Sequence, residues 1–389
     1  MKSGEMKCDL CANQKLDLCY EVPDSALGME VYVCARCGLT QSIPRETANK
    51  QPHKRAISTS SGAGWGNIRY GKAFRIQTAA KALSAHVDLN DVRTVLDVGS
   101  NRGDFVRWIG AIAHPDTITA VEPDGRIVED YRCLPNVALQ VDRLENVELR
   151  ADYYNLVYCC HTLEHAPSAL AMLEQIHACM KAQAFLYLET PNIDILAIDD
   201  IFEEWFIDKH SFHFNGSLLA SQLGATGFRI MWGPDERDLE NITLLARKEE
   251  YPAHGSVVYD GSLPSSNQRL IATYIQKLQQ NRQKLASIAQ AIEGLAEGHR
   301  VALWGAGRIF DALVRYGGLK AEKVVAVVDK YLAKYVSESG SARISEPSVL
   351  MDLAPDVVVV LSRGMAQEIE GEARDMGIRR VVRFNDLAG

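Results

Sequence analysis

Thr94-Val-Leu-Asp-Val-Gly-Ser-Asn-Arg-Gly-Asp-Phe105 is the stretch on which the reading of this chain turns. An apolar strand runs into a glycine-bearing turn, and residues 103–113 then read as a helix. In an open parallel sheet, ligands sit beyond the carboxyl end of such a strand, against the N-terminus of the next helix. Gly99 and Gly103 place no side chain where the backbone must approach a ligand. A second strand, Thr117–Val121, ends in Glu122-Pro123, 25 residues after Asp97, where a carboxylate can accept both hydroxyls of a ribose. The pattern predicts nucleoside binding of the Rossmann kind. Its alternative is an ordinary strand–turn–helix with incidental glycines.

Spacing narrows the nucleoside. A dinucleotide site usually shows G-x-G-x-x-G, whereas Gly99 and Gly103 stand four apart with Asn101 between them, a turn poorly matched to a pyrophosphate. From Asp97 to Gly103 the turn resembles the D-x-G-x-x-x-G form found in S-adenosylmethionine (SAM)-dependent methyltransferases. Strand and helix patterns continue to alternate beyond it. Residues 137–141 read as a third strand ending at Asp142, whose carboxylate meets an adenine amino group or else holds a turn. Tyr154–Cys160 is a buried fourth strand delivering His161-Thr-Leu-Glu-His165 to the same edge. His161 is placed with the cofactor, and His165 positions substrate or moves a proton. A zinc pair formed by these two histidines lacks a third ligand. Residues 184–189 form a fifth strand, followed by Thr190-Pro-Asn192, with Asn192 as a substrate contact. The acidic, aromatic run 199–206 reads as a solvated insertion with aromatic anchors, whereas Asp208-Lys-His-Ser-Phe-His-Phe214 brings titratable groups toward the ligand edge. A helix over 216–224 and strands over Phe228–Trp232 and 243–247 finish the sheet.

On either side lie two further features. Cys8-x-x-Cys11 and Cys34-x-x-Cys37 are separated by 22 residues, and four thiolates close a tetrahedral zinc site with no position left for water. Such a site is structural; two redox dithiols are disfavoured because no strand–helix pattern surrounds either pair. Between the cysteines and the first helix (72–89), the small-residue segment 58–66 with Tyr70 nearby is a lid over the site or a linker, and Tyr70 is a substrate candidate. Downstream, residues 265–297 carry a helical stripe of apolar residues with one polar interruption near Asn281, read as a strut between domains. Strand 300–304 then gives Gly305-Ala-Gly307, a helix, and strand 324–328 ending at Asp329, 24 residues after Gly305. Strands over 356–361 and 380–384 complete a second, smaller Rossmann-like unit. Gly305, Gly307 and Asp329 could hold the phosphate and ribose of a nucleotide there; a scaffold without ligand and an NAD site are the alternatives.

The 389 residues allow two or three domains: zinc-binding (1–56), methyltransferase core (57–255), helical linker (256–299) and C-terminal Rossmann-like domain (300–389). The net charge of −8 argues against nucleic acid as main substrate. No apolar run approaches membrane-spanning length, and the cysteine usage fits a reducing cytoplasm. Oligomeric state is left open.

Cysteine pairs, SAM-type turn and C-terminal α/β unit, in that order, resemble the three-part sugar C-methyltransferase family, whose members modify nucleotide-linked deoxy-keto-sugars. Gly99-Ser-Asn101 followed by Gly103 is similar to the family's G-S-N-D-G turn, with Arg102 in place of Asp; Val121-Glu122-Pro123 matches V-E-P, and Leu163-Glu164-His165 its fourth-strand signature. The resemblance covers essentially the whole chain. It implies a class I α/β methyltransferase with structural zinc on Cys8, Cys11, Cys34 and Cys37. SAM would be bound by Asp97, Gly99, Ser100, Asn101, Gly103, Glu122, Asp142 and His161, and a nucleotide-linked sugar would be the acceptor. One departure bears on mechanism. Where the family carries Glu-His, this chain reads Lys209-His210. Methylating carbon beside a ketone requires a base near neutrality, so Lys209, His210 or His165 takes the proton, or the acceptor is a hydroxyl or amine. Arg308 and Phe310 also depart from the family's second glycine turn. Competing classes are a zinc-knuckle RNA methyltransferase and a non-catalytic SAM-binding protein.

Overall fold

A computed structural model describes residues 6–23, 25–45, 73–236, 238–249, 259–334, 337–339 and 342–387. They group into two compact units, one drawn from Met1–Lys54, Gly71–Ala197 and Phe206–Ala272, the other from Ile198–Trp205 and Thr273–Gly389. No described helix is long and apolar enough to cross a membrane.

The first unit begins with three strands, β1 (Leu16–Glu21), β2 (Glu30–Cys34) and β3 (Thr40–Ile43). There follow α1 (Ala73–His86), β4 (Thr94–Val98), α2 (Asp104–Ala113), β5 (Thr117–Val121), the short α3 (Val128–Tyr131), β6 (Val137–Gln140) and β7 (Tyr154–Cys160). Then come α4 (Ala169–Cys179), β8 (Met180–Pro191), β9 (Phe212–His213), α5 (Gly216–Ala225), β10 (Phe228–Trp232) and β11 (Asn241–Lys248). Seven strands make one sheet in the order β10-β11-β8-β7-β4-β5-β6, in which β11 runs antiparallel to its neighbours. The chain leaves β4 in one direction and returns to β7 on its other side. The carboxyl ends of these two strands therefore flank the topological switch point, where open α/β sheets bind ligands.

Residue chemistry explains the order. All five residues of β4 are buried, as a strand covered on both faces requires, whereas edge strand β6 alternates half-buried and exposed. Helix α2 turns Phe105, Val106, Ile109 and Ala113 onto the sheet, and the Phe105 ring stacks on Tyr158 of β7 with centroids 3.8 Å apart. The fifth strand of this sheet, β8, starts four residues before the sequence expectation. Its first residues are edge-like and partly exposed, so they lack the apolar run that marks the rest.

The cysteine-bearing strands form a separate sheet in the order β1-β2-β3-β9, so a strand from beyond residue 210 completes the N-terminal sheet. Cys8, Leu10, Cys34, Cys37 and Leu39 pack into the same apolar core as Leu163, Phe212, Phe214 and Leu218.

Helix α6 (Leu263–Gly298) gives its first residues to the first unit and those from Thr273 onward to the second. The second unit adds β12 (Val301–Trp304), α7 (Arg308–Arg315), β13 (Ala326–Val328), β14 (Glu338–Ser339), β15 (Ala342–Ser345), α8 (Val349–Leu353), β16 (Val357–Val360), α9 (Ala366–Asp375) and β17 (Arg380–Arg383). Its sheet runs β14-β15-β13-β12-β16-β17, parallel except for the β14–β15 hairpin. Leu285, Ile288 and Ile292 of α6 pack on it, as the helical stripe predicts.

The acidic run 199–206 has the aromatic anchors expected of it, while Asp199 stays in solvent. Ile201, Phe202 and Phe206 are buried, and Asn281 of α6 donates through Nδ2 to the carbonyls of Asp199 (2.7 Å) and Ile201 (2.8 Å). The polar interruption of the helical stripe is thus what pins the run. Arg363 ties it further, donating to Asp200 Oδ2 at 2.9 Å and to both oxygens of Glu203 while lying over the Phe202 ring. Although burial opposes ionisation at Glu203, its bonds to Arg363 hold the carboxyl below the usual range.

Candidate active site

Three residues of the turn after β4 take left-handed backbone conformations: Gly99 (φ 70°), Asn101 (φ 50°) and Gly103 (φ 78°). A Cβ on Gly99 would lie 2.0 Å from Thr162 Oγ1, and one on Gly103 would lie 3.1 Å from the Tyr131 ring. Both glycines are therefore required by close approach as well as by φ. The Gly99 and Ser100 amides donate to the Val121 carbonyl at 2.8 and 3.0 Å, which ties the turn to the end of β5. Just beyond, buried Glu122 accepts the Asn101 amide on Oε2 and the Asp124 amide on Oε1, each at 3.0 Å. Tyr131 Oη donates to Ser100 Oγ at 2.7 Å, and Asp97 lies buried beneath.

One atom of this turn has no partner. Asn101 Oδ1 is buried and makes no hydrogen bond among the described residues, a state that costs about 1–3 kcal/mol unless a ligand donor supplies the bond. With the side-chain-free turn, the helix N-terminus and Glu122, this is a donor-seeking cradle that fits a nucleoside carrying an amino-acid tail. Asp142 Oδ1 accepts the Arg143 amide (2.7 Å) and Asn146 Nδ2 (2.8 Å), so it holds the turn after β6.

At the end of β7 the chain brings its histidines to the same edge. His161 (φ 47°) sits between two buried carboxylates: Nε2 is 3.2 Å from Glu189 Oε1, and Nδ1 is 3.5 Å from Glu164 Oε1. Asn241 Oδ1 lies 3.1 Å from the same Nε2, and Arg75 of α1 donates to Glu189 at 2.5 Å and to Asn241 at 3.1 Å. Burial opposes ionisation of Glu189, but the His161 hydrogen bond and the Arg75 charge outweigh it and bring the carboxyl down to about 2. His165 uses Nδ1–H to donate to the Lys209 carbonyl at 3.0 Å and turns Nε2 toward Glu164 Oε1 at 3.7 Å. The buried His210 ring meets it edge-on with centroids 4.8 Å apart.

The structure thus gathers Gly99, Asn101, Gly103 and Glu122 on one side of Thr162, and His161, His165, Lys209 and His210 on the other. Lys209 is half-buried. Asn192 lies at the end of β8, where its side chain accepts from the Asp194 amide (3.0 Å) and donates to the Asp238 carbonyl (3.2 Å). Tyr70 and the segment 58–66 fall outside the described residues. Gly305, Gly307 and Asp329 meet at the carboxyl edge of the second sheet. There a Cβ on Gly305 would lie 2.6 Å from the Leu361 carbonyl, and Asp329 accepts the amides of Ala306 (3.1 Å), Tyr331 (3.0 Å) and Leu332 (2.8 Å). Sequence reading passed over Glu189, Arg75 and Asn241. Only the carboxylate ending the fifth strand, ahead of Thr190-Pro-Asn192, signalled any of them.

Cys8 and Cys37 sulfurs lie 3.5 Å apart, as do those of Cys11 and Cys34, and all four fall within 4.8 Å of one another. Zinc–sulfur bonds of about 2.3 Å place tetrahedral neighbours about 3.8 Å apart, so the set fits a zinc ion. Cys34 Sγ accepts the Arg36 amide at 3.4 Å and Asn13 Nδ2 at 3.7 Å, donors that favour a thiolate there.

Residues 71–231 match the family model described as Methyltransferase domain, and residues 297–381 match one described as C2185-like, N-terminal. No curated protein matches the chain. Among solved structures, an S-adenosylmethionine-dependent methyltransferase from Mesorhizobium loti aligns at 14% identity, covering 46% of this chain and 100% of its own, with TM-score 0.37. The Burkholderia thailandensis 1,6-didemethyltoxoflavin-N1-methyltransferase, with its substrate and S-adenosylhomocysteine bound, aligns at 16% identity over 60% of this chain and 100% of its own, with TM-score 0.38. With the domain match lying on the seven-stranded sheet and its glycine turn, the chain is a SAM-dependent methyltransferase of the class I α/β fold.

Proposed function

We propose that the protein methylates a nucleotide-linked deoxy- or keto-sugar, at a carbon beside the ketone, with His210 removing the proton. The observation that carries this reading is the convergence of His165 and His210, 45 residues apart in the chain, beside the Thr162 contact of the cofactor turn. SAM, when bound, supplies the electrophilic methyl group. The chain's own work is alignment and proton handling. Gly99, Asn101, Gly103 and Glu122 hold the donor side, so that an acceptor can be placed at about 3–3.5 Å with water excluded. Of the two histidines, His165 offers one nitrogen to a carbonyl and faces a carboxylate with the other, which orients it. His210, edge-on to it, is the group assigned to the proton. A base of this kind contributes on the order of 10²–10⁴ in rate. Zinc on the four cysteines is structural.

The test offers purified protein and SAM a panel of nucleotide-linked keto-, amino- and hydroxy-sugars, with total RNA alongside, and reads product mass. A gain of one methylene on a keto-sugar, with solvent deuterium entering the neighbouring carbon and loss of both in His210→Ala, is the expected result. Gain without deuterium entry would move the acceptor to oxygen or nitrogen. Label found only in RNA would overturn the sugar reading.

A further inference from the structure

We infer that the cysteine centre is a positioning device for the acceptor-side histidine, beyond any role in holding the N-terminal segment together. This rests on reading His210 as the base. Cys34 ends β2, and the knuckle closes through Gly38 N to Cys34 O (3.0 Å) and Cys34 N to Leu39 O (2.9 Å). Three residues after Cys37 begins β3, which pairs Thr40 with His213 and Gln41 with Phe212 of β9. The ladder extends upstream, because the Ser42 amide donates to the Ser211 carbonyl at 2.9 Å and Ser42 Oγ meets His213 Nε2 at 2.8 Å.

The other end of the histidine segment is held by the same sheet. Asp208 accepts the Ser25 hydroxyl and the Ala26 amide (3.0 Å), both in the connection between β1 and β2. Lys209 and His210 therefore lie between Asp208 and Ser211, each bonded to the knuckle's sheet or its β1–β2 connection, while the Ser211 amide also donates to the Glu164 carbonyl at 2.8 Å. The first cysteine pair joins through Asp9, whose amide donates to Gln41 Oε1 at 3.2 Å and whose carboxylate takes the Leu170 amide at 3.0 Å. By contrast, the Gly99–Gly103 turn is held by Val121, Glu122, Asp130, Tyr131 and Thr162, all of the methyltransferase sheet and its connections. Metal occupancy should accordingly govern the acceptor side and spare the donor side.

The experiment uses full-length protein with and without bound zinc, the metal being removed by a chelator. Three readouts are taken: SAM affinity by calorimetry, the ring signal of His210 by NMR of histidine-labelled protein (assigned with His210→Gln), and turnover. Expected are SAM affinity within about threefold of the loaded protein, a moved or broadened His210 signal, and turnover lowered at least tenfold with a raised KM for the acceptor. An unmoved His210 signal in folded, zinc-free protein would overturn the inference whatever the acceptor is. A moved signal with undiminished turnover would support positioning and remove His210 from the proposed chemistry instead. Should the chelated protein unfold, Ser42→Ala and Asp208→Asn, with zinc retained, decide: each should move the His210 signal and raise KM, and two unmoved signals would refute the coupling.

Discussion

Replacing Gly99 with Ala should damage the cofactor turn for two reasons that can be separated. The residue sits at φ 70°, where an alanine costs about 1–2 kcal/mol. The new Cβ would lie 2.0 Å from Thr162 Oγ1 and 2.9 Å from its Cγ2, so something must move. Thr162 cannot rotate away freely, since Oγ1 lies 3.1 Å from both the Val98 and Cys160 carbonyls, and losing that hydrogen bonding costs about 1 kcal/mol. The sum is about 2–3 kcal/mol. If the turn shifts to relieve it, SAM affinity falls by about 30- to 150-fold. Calorimetric titration with SAM measures the loss. Thr162→Ala in the same chain removes the two closest atoms, leaving its own Cβ at 3.0 Å and the φ cost, so the double variant should bind about fivefold better than Gly99→Ala alone, the coupling expected of contacting residues. Wild-type SAM affinity in Gly99→Ala, or a double variant no better than the single, would refute the steric argument.

Three further perturbations test other parts of the structure. Glu189, at about 2 in the folded protein against 4.5 ordinarily, contributes stability present above pH 4.5 and lost as pH falls toward 2, on the order of 3 kcal/mol; the urea-stability gap between wild type and Glu189→Gln should shrink between pH 6 and pH 3, and a constant gap would contradict the pairing with His161 and Arg75. His213 is buried and held down to about 3 by desolvation, so below its ordinary 6.5 the unfolded chain binds a proton that the folded one refuses; stability should drop by about 2 kcal/mol from pH 7 to pH 5, and His213→Gln should flatten that slope in thermal melts. Arg363→Met strips the mostly buried Glu203 of its guanidinium and should cost about 3 kcal/mol in urea unfolding, whereas an unchanged midpoint would mean the clamp on the 199–206 run is dispensable.

What could be read from sequence was whatever geometry is local. The strand–turn–helix from Thr94 dictates its own glycines, because positive φ and close approach are set within a few residues, and Glu122 follows from the next strand. The two cysteine pairs likewise announce themselves by spacing. His165 and His210 could each be named as candidates at the ligand edge, but their 4.8 Å ring contact could not, since β9 has only two residues and exists because β3, some 170 positions earlier, offers it a partner. Arg75 and Glu189 were hidden for the same reason, 114 positions apart. In the 199–206 run the aromatic anchors were legible but their partners were not: the groups that satisfy its carbonyls and lie over Phe202 sit on α6 and after β16, while Phe206 meets Tyr20 and His213.

The chain writes the same phrase twice, strand, glycine turn, helix, strand, acid, and the two copies differ in what their polar atoms are left to do. In the first, the turn is pulled against β5 through backbone amides, Glu122 takes the Asn101 amide, and Asn101 Oδ1 is buried without a partner among the described residues. In the second, the room beside Gly305 is filled by the Leu361 carbonyl, and Asp329 spends its carboxylate on three amides of its own turns. A buried acceptor with no donor is a cost that a ligand can remove, while a satisfied one gains nothing from binding. By that criterion the first turn has a buried polar atom that a ligand can satisfy, while the Asp329 carboxylate ties the second turn to its own neighbours. Asp329→Asn weakens acceptors for three amides at once and should therefore lower the urea midpoint of the second unit, whereas an unchanged midpoint would mean those amides find other partners at no cost.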